Sequence, residues 1–173
     1  MDLRVRPAVP ADEPFLWSML FEASHAAAEG LAGPDALRAV PELARYVEGW
    51  GLPTDLGTIA EVPTADGQVT GIGAAWVRLL TGHQAGYGHV DDETPELAIA
   101  VAPGRRAGGL GTRLLDGVLD AARGRYPGVC LSVRGDNPAR RLYERVGFRA
   151  VEGSEVLNRV QGSSITMVIE LLT

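Results

Sequence analysis

The chain has 173 residues, and its 16 basic side chains are all arginines, which 22 acidic residues outnumber to give a net charge of −6. The absence of lysine excludes Schiff-base enzymes, pyridoxal-phosphate enzymes and a P-loop, and the negative charge argues against a nucleic-acid-binding protein. The length and the hydrophobic content of 46% indicate a single globular domain over residues 1–173.

The start of the chain predicts one strand and two helices. Apolar and basic residues alternate over residues 3–6, which indicates a half-buried strand. Asp12 is a candidate N-cap for a helix whose apolar positions recur every three or four residues. These positions are Phe15, Leu16, Met19, Leu20 and Ala23. A second helix is predicted over residues 34–47, with Pro41 as a candidate interruption.

The middle of the chain predicts a β-hairpin, a long loop and a further strand. Strand patterns over residues 57–62 and 68–80 flank residues 64–67, whose Asp-Gly pair favours a hairpin turn. Residues 81–95 have the composition of a loop, and their length makes them a candidate functional loop. A strand is predicted over residues 95–101.

The last part of the chain alternates between helix and strand patterns. Helices are predicted over residues 111–122 and 138–146, and strands over residues 128–133, 148–151 and 165–171. A hairpin section is thus followed by a section of alternating strands and helices. This order predicts an α+β fold (α/β, three-layer): a mixed, mostly antiparallel central sheet of about seven strands with helices on both faces.

The charges are divided unevenly along the chain. Residues 1–98 contain 15 acidic residues and five arginines, whereas residues 99–173 contain seven acidic residues and 11 arginines. The first half is therefore suited to cations and the second to anions. Drift of a solvated surface is the alternative explanation.

The remaining reactive side chains indicate no metal site and no thiol chemistry. Cys130 lies in an apolar run and is expected to be a buried structural thiol. His25, His83 and His89 show no metal-ligand spacing. We expect no membrane partner and a cytoplasmic location, because the chain shows neither a signal pattern nor a long apolar stretch. The composition would suit a GC-rich bacterial genome.

A glycine-rich turn over residues 101–112 joins the predicted central strand to a helix. Backbone amides at such a junction favour an anionic ligand. A P-loop is excluded because Leu110 follows Gly109, and a dinucleotide fingerprint is excluded because Leu114 stands where its third glycine would fall. By itself the turn is equally compatible with a plain tight loop.

Three segments together resemble the GNAT superfamily of acyl-CoA-dependent N-acyltransferases. Arg106-x-x-Gly109-x-Gly111 resembles the superfamily's pyrophosphate signature. Residues 131–148 are similar to a second segment of the superfamily, in which a strand is followed by an Asn and by a helix that carries a Tyr and ends in Gly-Phe. Residues 96–103 are similar to the superfamily's central strand. The resemblance covers about residues 3–171, and it implies central strands that splay apart.

The resemblance also implies acetyl-CoA as co-substrate, with no metal. The pantetheine arm is expected between the splayed strands, bonded to backbone groups, and the pyrophosphate at the turn. The implied acetyl-CoA-binding residues are Ile99, Ala100, Val101, Arg106, Ala107, Gly108, Gly109, Leu110, Gly111, Thr112, Asn137, Arg140 and Tyr143.

Two candidate catalytic residues follow. Tyr143 matches the superfamily's usual general acid, which protonates the leaving thiolate; the alternative is a tyrosine packed on the apolar face of a short helix. Strand alternation places Glu96 beside two alanines with room for substrate or a water relay, which makes it a candidate general base; the alternative is a solvated strand-end carboxylate. Asp91, Asp92 and Glu93 are further candidates, as base or for cation recognition.

The implied function is N-acetyl (acyl) transfer to a primary amine of a small molecule or peptide, by direct attack in a ternary complex. The alternative is a non-catalytic acyl-CoA-binding or regulatory protein on the same fold. Trp17 and Phe21 are candidate acceptor-site residues, because the first helix edges the acceptor site in relatives; packing in the core is the alternative. The resemblance also leaves a homodimer possible.

Overall fold

A computed structural model describes residues 2–106, 108–157 and 162–171. Within these residues, eight strands form one sheet in the order β1-β2-β3-β4-β5-β8-β6, and β7 pairs with β8. The strands are β1 (Arg4–Pro7), β2 (Leu56–Pro63), β3 (Val69–Arg78), β4 (Glu96–Val101), β5 (Gly128–Arg134), β6 (Arg149–Ala150), β7 (Val156–Leu157) and β8 (Ser163–Glu170). Only β4 and β5 pair in parallel. The predicted mixed, mostly antiparallel sheet is confirmed, with β7 as an unpredicted strand.

The helices cover the two faces of this sheet. They are α1 (Glu13–Ala23), α2 (Pro41–Ala44), α3 (Leu110–Ala122) and α4 (Ala139–Val146), and short 3-10 helices cover Pro10–Asp12, Ala26–Glu29, Pro34–Ala39 and Gly82–Gln84. None of the described helices combines the length and the apolar character needed to span a bilayer.

The single helix predicted over residues 34–47 is wrong. A 3-10 helix ends at Ala39, and Val40 then takes an extended backbone (φ −116°, ψ 91°) before α2 begins at Pro41. A proline disfavours helical geometry in the residue before it and cannot donate its own backbone hydrogen bond. The interruption at Pro41 therefore divides the segment.

Asp12 precedes α1 as predicted, but its carboxylate does not cap that helix. It accepts hydrogen bonds from the guanidinium of Arg6 at 2.9 Å and from the backbone amide of Val9 at 2.7 Å. Asp12 thus closes the preceding 3-10 turn and ties it to β1.

The core is divided between the two faces of the sheet. Toward α3, fully buried leucines and valines of the helix, such as Leu114 and Val118, pack on β2 to β5, and each such side chain contributes roughly 1.5–3 kcal/mol. Toward α1, aromatic residues such as Trp17 and Trp76 pack around small side chains of β3 and β4. Along β4, Ala98 and Ala100 share one face, as the alternation predicted, and the structure packs that face toward α1.

The parallel strands β4 and β5 pair with each other only near their first residues. Glu96 and Cys130 are their one register pair among the described residues, and the amide of Cys130 donates to the carbonyl of Pro95 at 3.0 Å. Beyond that point they no longer pair with each other, although β4 stays paired with β3 and β5 with β8. The sheet is therefore open between β4 and β5, as the expectation of splayed central strands requires.

Candidate active site

A cleft of about 570 Å³ occupies the opening between β4 and β5. All six residues of β4 line it, together with residues 131–134 of β5 and residues 109–112 at the start of α3. At its other end it reaches Glu96 and Tyr46. One continuous space thus joins the glycine-rich turn to a buried carboxylate.

Glu96 is the buried acid of this cleft, with only 3% of its surface exposed. The hydroxyl of Tyr46 donates a hydrogen bond to Glu96 Oε2. Glu96 Oε1 has no hydrogen-bond partner within the part of the chain that the structure describes. Burial raises the pKa of Glu96 from 4.5 to about 7, although the hydrogen bond from Tyr46 opposes the shift. The carboxyl group can therefore take up a proton near neutral pH.

Tyr46 is the functional residue that the sequence analysis missed. It lies just after α2, and 50 residues separate it from Glu96. Its backbone carbonyl accepts a hydrogen bond from the indole of Trp76 at 2.9 Å. In the sequence, Tyr46 stands out only as an aromatic residue with a polar hydroxyl next to the apolar Val47. This pattern does not reveal which strand the Tyr46 side chain contacts.

A buried arginine fixes the segment that carries Tyr46. The guanidinium of Arg78 donates to the carbonyls of Arg45 at 3.1 Å and Glu48 at 2.7 Å, and it pairs with Asp55 at 3.0 Å. Both charged side chains of that pair are almost fully buried. The irregular segment after α2 is therefore attached to the end of β3.

Two glycines bring the predicted functional loop onto the site. A Cβ atom added to Gly86 would lie 2.5 Å from Tyr46 Oη, and one added to Gly88 would lie 2.5 Å from the backbone carbon of Leu131. Between them, the amide of Tyr87 donates to the hydroxyl of Tyr46 at 2.9 Å. No side chain would fit at either glycine without displacing its neighbours.

The acidic residues of the same loop lie elsewhere. Asp91, Asp92 and Glu93 are exposed, and none of them lines the cleft. The carboxylate of Asp91 accepts from the amide of Glu93 at 2.9 Å, and Asp92 lies 3.5 Å from His89. The structure therefore brings Glu96, and not these three acids, to the cleft.

The two aromatic acceptor-site candidates also lie away from the cleft. Trp17 is 2% exposed, donates to Glu13 at 3.2 Å, and has the guanidinium of Arg38 4.4 Å from its ring centre. Phe21 packs against the same apolar cluster. Neither lines the cleft, whereas Leu20 of the same helix does.

Tyr143 lines the cleft from α4 and is 7% exposed. Burial raises the pKa of its phenol to about 12, so the hydroxyl stays protonated at neutral pH. Its ring packs edge-to-face against Phe148, with 5.9 Å between ring centres. This placement gives the cleft a proton donor.

The glycine-rich turn presents an open backbone. Gly108 and Gly109 have φ of +85° and +74°, and a Cβ atom on either would meet nothing within 4 Å. The first amides of α3 have no partner inside the helix and carry the positive end of its dipole. Leu110, Gly111 and Thr112 of this turn line the cleft, as does Arg106. These groups suit a polyanion.

The other predicted cofactor-binding residues are placed unevenly. Ile99, Ala100, Val101 and Asn137 line the cleft, and the Asn137 side chain also accepts from the amide that begins α4, at 2.9 Å. Gly108 and Arg140 do not line it, and Arg140 pairs with Glu144 at 2.9 Å. Ala107 lies outside the described residues.

Cys130 is buried, as expected. Burial raises the pKa of its thiol to about 12, so it carries no thiolate near neutral pH. Among the described residues, no group of three or more His, Cys, Asp or Glu side chains is placed to hold a metal ion.

Comparison with known proteins gives a family and a set of similar structures. The acetyltransferase (GNAT) domain family matches residues 65–150, about half of the chain. No curated protein matches the sequence. The structures below are each less than 25% identical to this chain, so they support the fold alone.

A GNAT-family acetyltransferase from Streptococcus pneumoniae is 17% identical, with a TM-score of 0.64 over 99% of this chain and 100% of that one. The protein yncA from Salmonella typhimurium, solved with acetyl-CoA, is 18% identical, with a TM-score of 0.63 over 100% and 96%. The spermidine/spermine N-acetyltransferase SpeG from Vibrio cholerae is 22% identical, with a TM-score of 0.57 over 98% and 95%.

Proposed function

Because the chain belongs to the GNAT acetyltransferase family, we propose that it transfers an acetyl group from acetyl-CoA to a primary amine by direct attack in a ternary complex. One observation carries this proposal. The opening between β4 and β5 forms a single cleft with a glycine-rich turn and the start of α3 at one end and a buried carboxylate at the other. Both reactants can therefore meet within it.

The residues at the turn fit the phosphate end of acetyl-CoA. The amides of Gly109 to Thr112, the start of the α3 dipole and Arg106 would hold the pyrophosphate without any lysine. The edge of β4 at Ile99 and Val101 that does not pair with β5 would bind the pantetheine arm as an added strand does. When bound, the co-substrate supplies an activated acetyl thioester.

Two side chains of the cleft would manage the protons. Glu96 would accept a proton from the acceptor amine, directly or through a water molecule, and the freed nitrogen would form a bond to the acetyl carbon. The carbon–sulfur bond would break, and Tyr143 would give its proton to the leaving sulfur. The pKa of Glu96, raised to about 7, suits a base that works near neutral pH.

The acceptor class that this site supports is a primary amine of a small molecule or a peptide. The similarity in fold to SpeG, a spermidine/spermine N-acetyltransferase, is compatible with an amine acceptor. Leu20, Leu43 and Tyr87 also line the cleft, so it offers side chains against which apolar atoms of the acceptor can pack. A homodimer and a cytoplasmic location stay predictions.

Thiol release from acetyl-CoA in the presence of a panel of amines tests this proposal. We expect turnover with at least one amine, and Glu96→Gln should lower kcat/KM for it by about 10²–10⁴-fold, with a comparable loss for Tyr143→Phe. Tyr126→Phe is the matched control, because its hydroxyl donates to the carbonyl of Thr54 outside the cleft. Tight CoA binding without turnover of any amine would instead favour a non-catalytic acyl-CoA-binding protein.

A further inference from the structure

Tyr46 is the one side chain of the described residues that hydrogen-bonds the Glu96 carboxylate, and the backbone amide of Gly88 also stabilises its ionised form. Its Oε2 atom accepts the hydrogen bond from Tyr46, whereas Oε1 is buried and without a partner among the described residues. A free rotation of the carboxylate would exchange the two oxygens. The contact with Tyr46 therefore fixes the rotation of the carboxylate.

Tyr46 is itself fixed at both ends. The indole of Trp76 holds its carbonyl at 2.9 Å, and the amide of Tyr87 donates to its hydroxyl oxygen at 2.9 Å. Because that oxygen accepts from the amide, its own hydrogen is left to point at Glu96. The phenol thus has one defined donor direction.

The loop that supplies this amide is clamped at the same place. The guanidinium of Arg45 donates to the carbonyl of Ala85 at 2.5 Å. The next residue, Gly86, lies so close to the pair that a Cβ atom there would be 2.5 Å from Tyr46 Oη and closer still to Glu96 Oε1. The backbone of Gly86 therefore lies directly beside the contact between Glu96 and Tyr46.

On the premise of the proposed function, we propose that Tyr46 is a positioning residue, which fixes the orientation of the Glu96 carboxylate that receives the proton of the acceptor amine. Tyr46 acts through Glu96 and needs no contact with the acetyl group. The loop amide of Tyr87 completes the arrangement by orienting the phenol. The site therefore consists of a base, a donor that orients it and a loop that orients the donor.

The charged and titratable groups that face Glu96 come from three elements. Arg45 and Tyr46 follow α2, His89 belongs to the loop, and Cys130 lies on β5. Tyr46 is the only one of these side chains that hydrogen-bonds the carboxylate within the described structure. A donor to the ionised form lowers the pKa of a carboxyl group, so loss of the Tyr46 hydroxyl should raise the pKa of Glu96.

The test is an NMR titration of the Glu96 carboxyl carbon in ¹³C-glutamate-labelled protein without ligands. In the wild type we expect a midpoint near the pKa of about 7, and in Tyr46→Phe a midpoint about one pH unit higher. Tyr126→Phe, which also removes one donating hydroxyl, should leave the Glu96 midpoint unchanged. Because this readout needs no substrate, it is independent of whether any amine is turned over.

The rate profile gives a second readout. In Tyr46→Phe, the rising limb of kcat/KM against pH should shift to higher pH by about one unit, as the Glu96 midpoint does. At pH values above the shifted limb, most of the wild-type kcat/KM should be recovered. A purely structural role would instead lower the rate at every pH and leave the limb in place.

If Tyr46→Phe does not fold, Gly86→Ala keeps both side chains but forces them apart, and it should also raise the NMR midpoint. Gly33→Ala is its control, since an added Cβ there meets nothing within 4 Å. An unchanged or lowered Glu96 midpoint in the folded variant would overturn the proposal.

Discussion

The two sides of the cleft are built in different ways. The cofactor region (residues 96–147) presents mainly backbone groups, namely the unpaired edges of β4 and β5 and the first amides of α3. The proposed acceptor region (residues 13–95), called the acceptor region below, is held by side-chain contacts between residues distant in sequence, such as Tyr46 on Glu96 and Arg78 on Asp55. Backbone recognition needs only a short local motif, whereas the acceptor region depends on the whole fold around it. Substitutions in the two regions should therefore have different consequences.

The largest effect on stability is expected at Arg78 in the acceptor region. Arg78→Met would leave the carboxylate of Asp55 buried without its cation and the carbonyls of Arg45 and Glu48 without their donor. Removal of one partner of a buried pair costs about 3–5 kcal/mol of unfolding free energy. Urea denaturation monitored by tryptophan fluorescence measures it.

Arg123→Met is the control for this variant, because its ion pair with Asp120 is exposed and should contribute less than about 1 kcal/mol. An equal, small loss in both variants would show that Arg78 does not support the acceptor region.

The contrast between the regions also explains what the sequence could predict. The turn at Gly109 and Gly111 is contiguous, so its spacing, taken together with the two other segments of the resemblance, predicted an anion-binding backbone. The alternation along β4 placed Glu96 on the same face as Ala98 and Ala100. In contrast, the partner of Glu96 comes from an irregular segment 50 residues away, and helical periodicity wrongly extended a helix through that segment. Trp17 was a candidate acceptor-site residue because it lies on the first helix, which edges the acceptor site in relatives. Its actual packing depends on tertiary contacts that the helix pattern does not encode.

The next largest effect is expected at Glu96. Burial of its carboxylate in the cleft should lower the free energy of unfolding at neutral pH. Its pKa is raised from 4.5 to about 7 on folding. Below pH 4.5 the carboxyl is protonated in both states; between about 4.5 and 7 only the unfolded chain releases the proton, so stability falls as pH rises. Glu96→Gln lacks this titration. Its stability relative to the wild type should therefore increase by about 3 kcal/mol between pH 4.5 and 8.

Thermal unfolding of both proteins across this pH range measures the difference. A constant difference in unfolding free energy would mean that Glu96 titrates normally, and the assignment of its carboxyl as a base poised near neutral pH would then fail.

The smallest effect is expected at Arg106 in the cofactor region. Its side chain is 66% exposed and lies 3.9 Å from Glu22, and backbone amides of the same turn would carry most of the phosphate binding. Arg106→Ala should raise the KM for acetyl-CoA by no more than about fivefold, as expected for an exposed charge. Arg105→Ala, one residue earlier and outside the cleft lining, should leave the KM unchanged. A loss of 100-fold or more in Arg106→Ala would mean that side chains, and not the backbone, hold the anion.

The most direct test of direct transfer across the cleft is a matrix of initial rates, with acetyl-CoA and an accepted amine both varied. Since the only cysteine is buried with a pKa raised to about 12, no thiolate is available to carry the acetyl group. The account predicts double-reciprocal lines that intersect, and an unmodified protein mass after incubation with acetyl-CoA alone. Parallel lines together with an acetylated protein would contradict it, because they would show that the acetyl group passes through the enzyme before the amine binds.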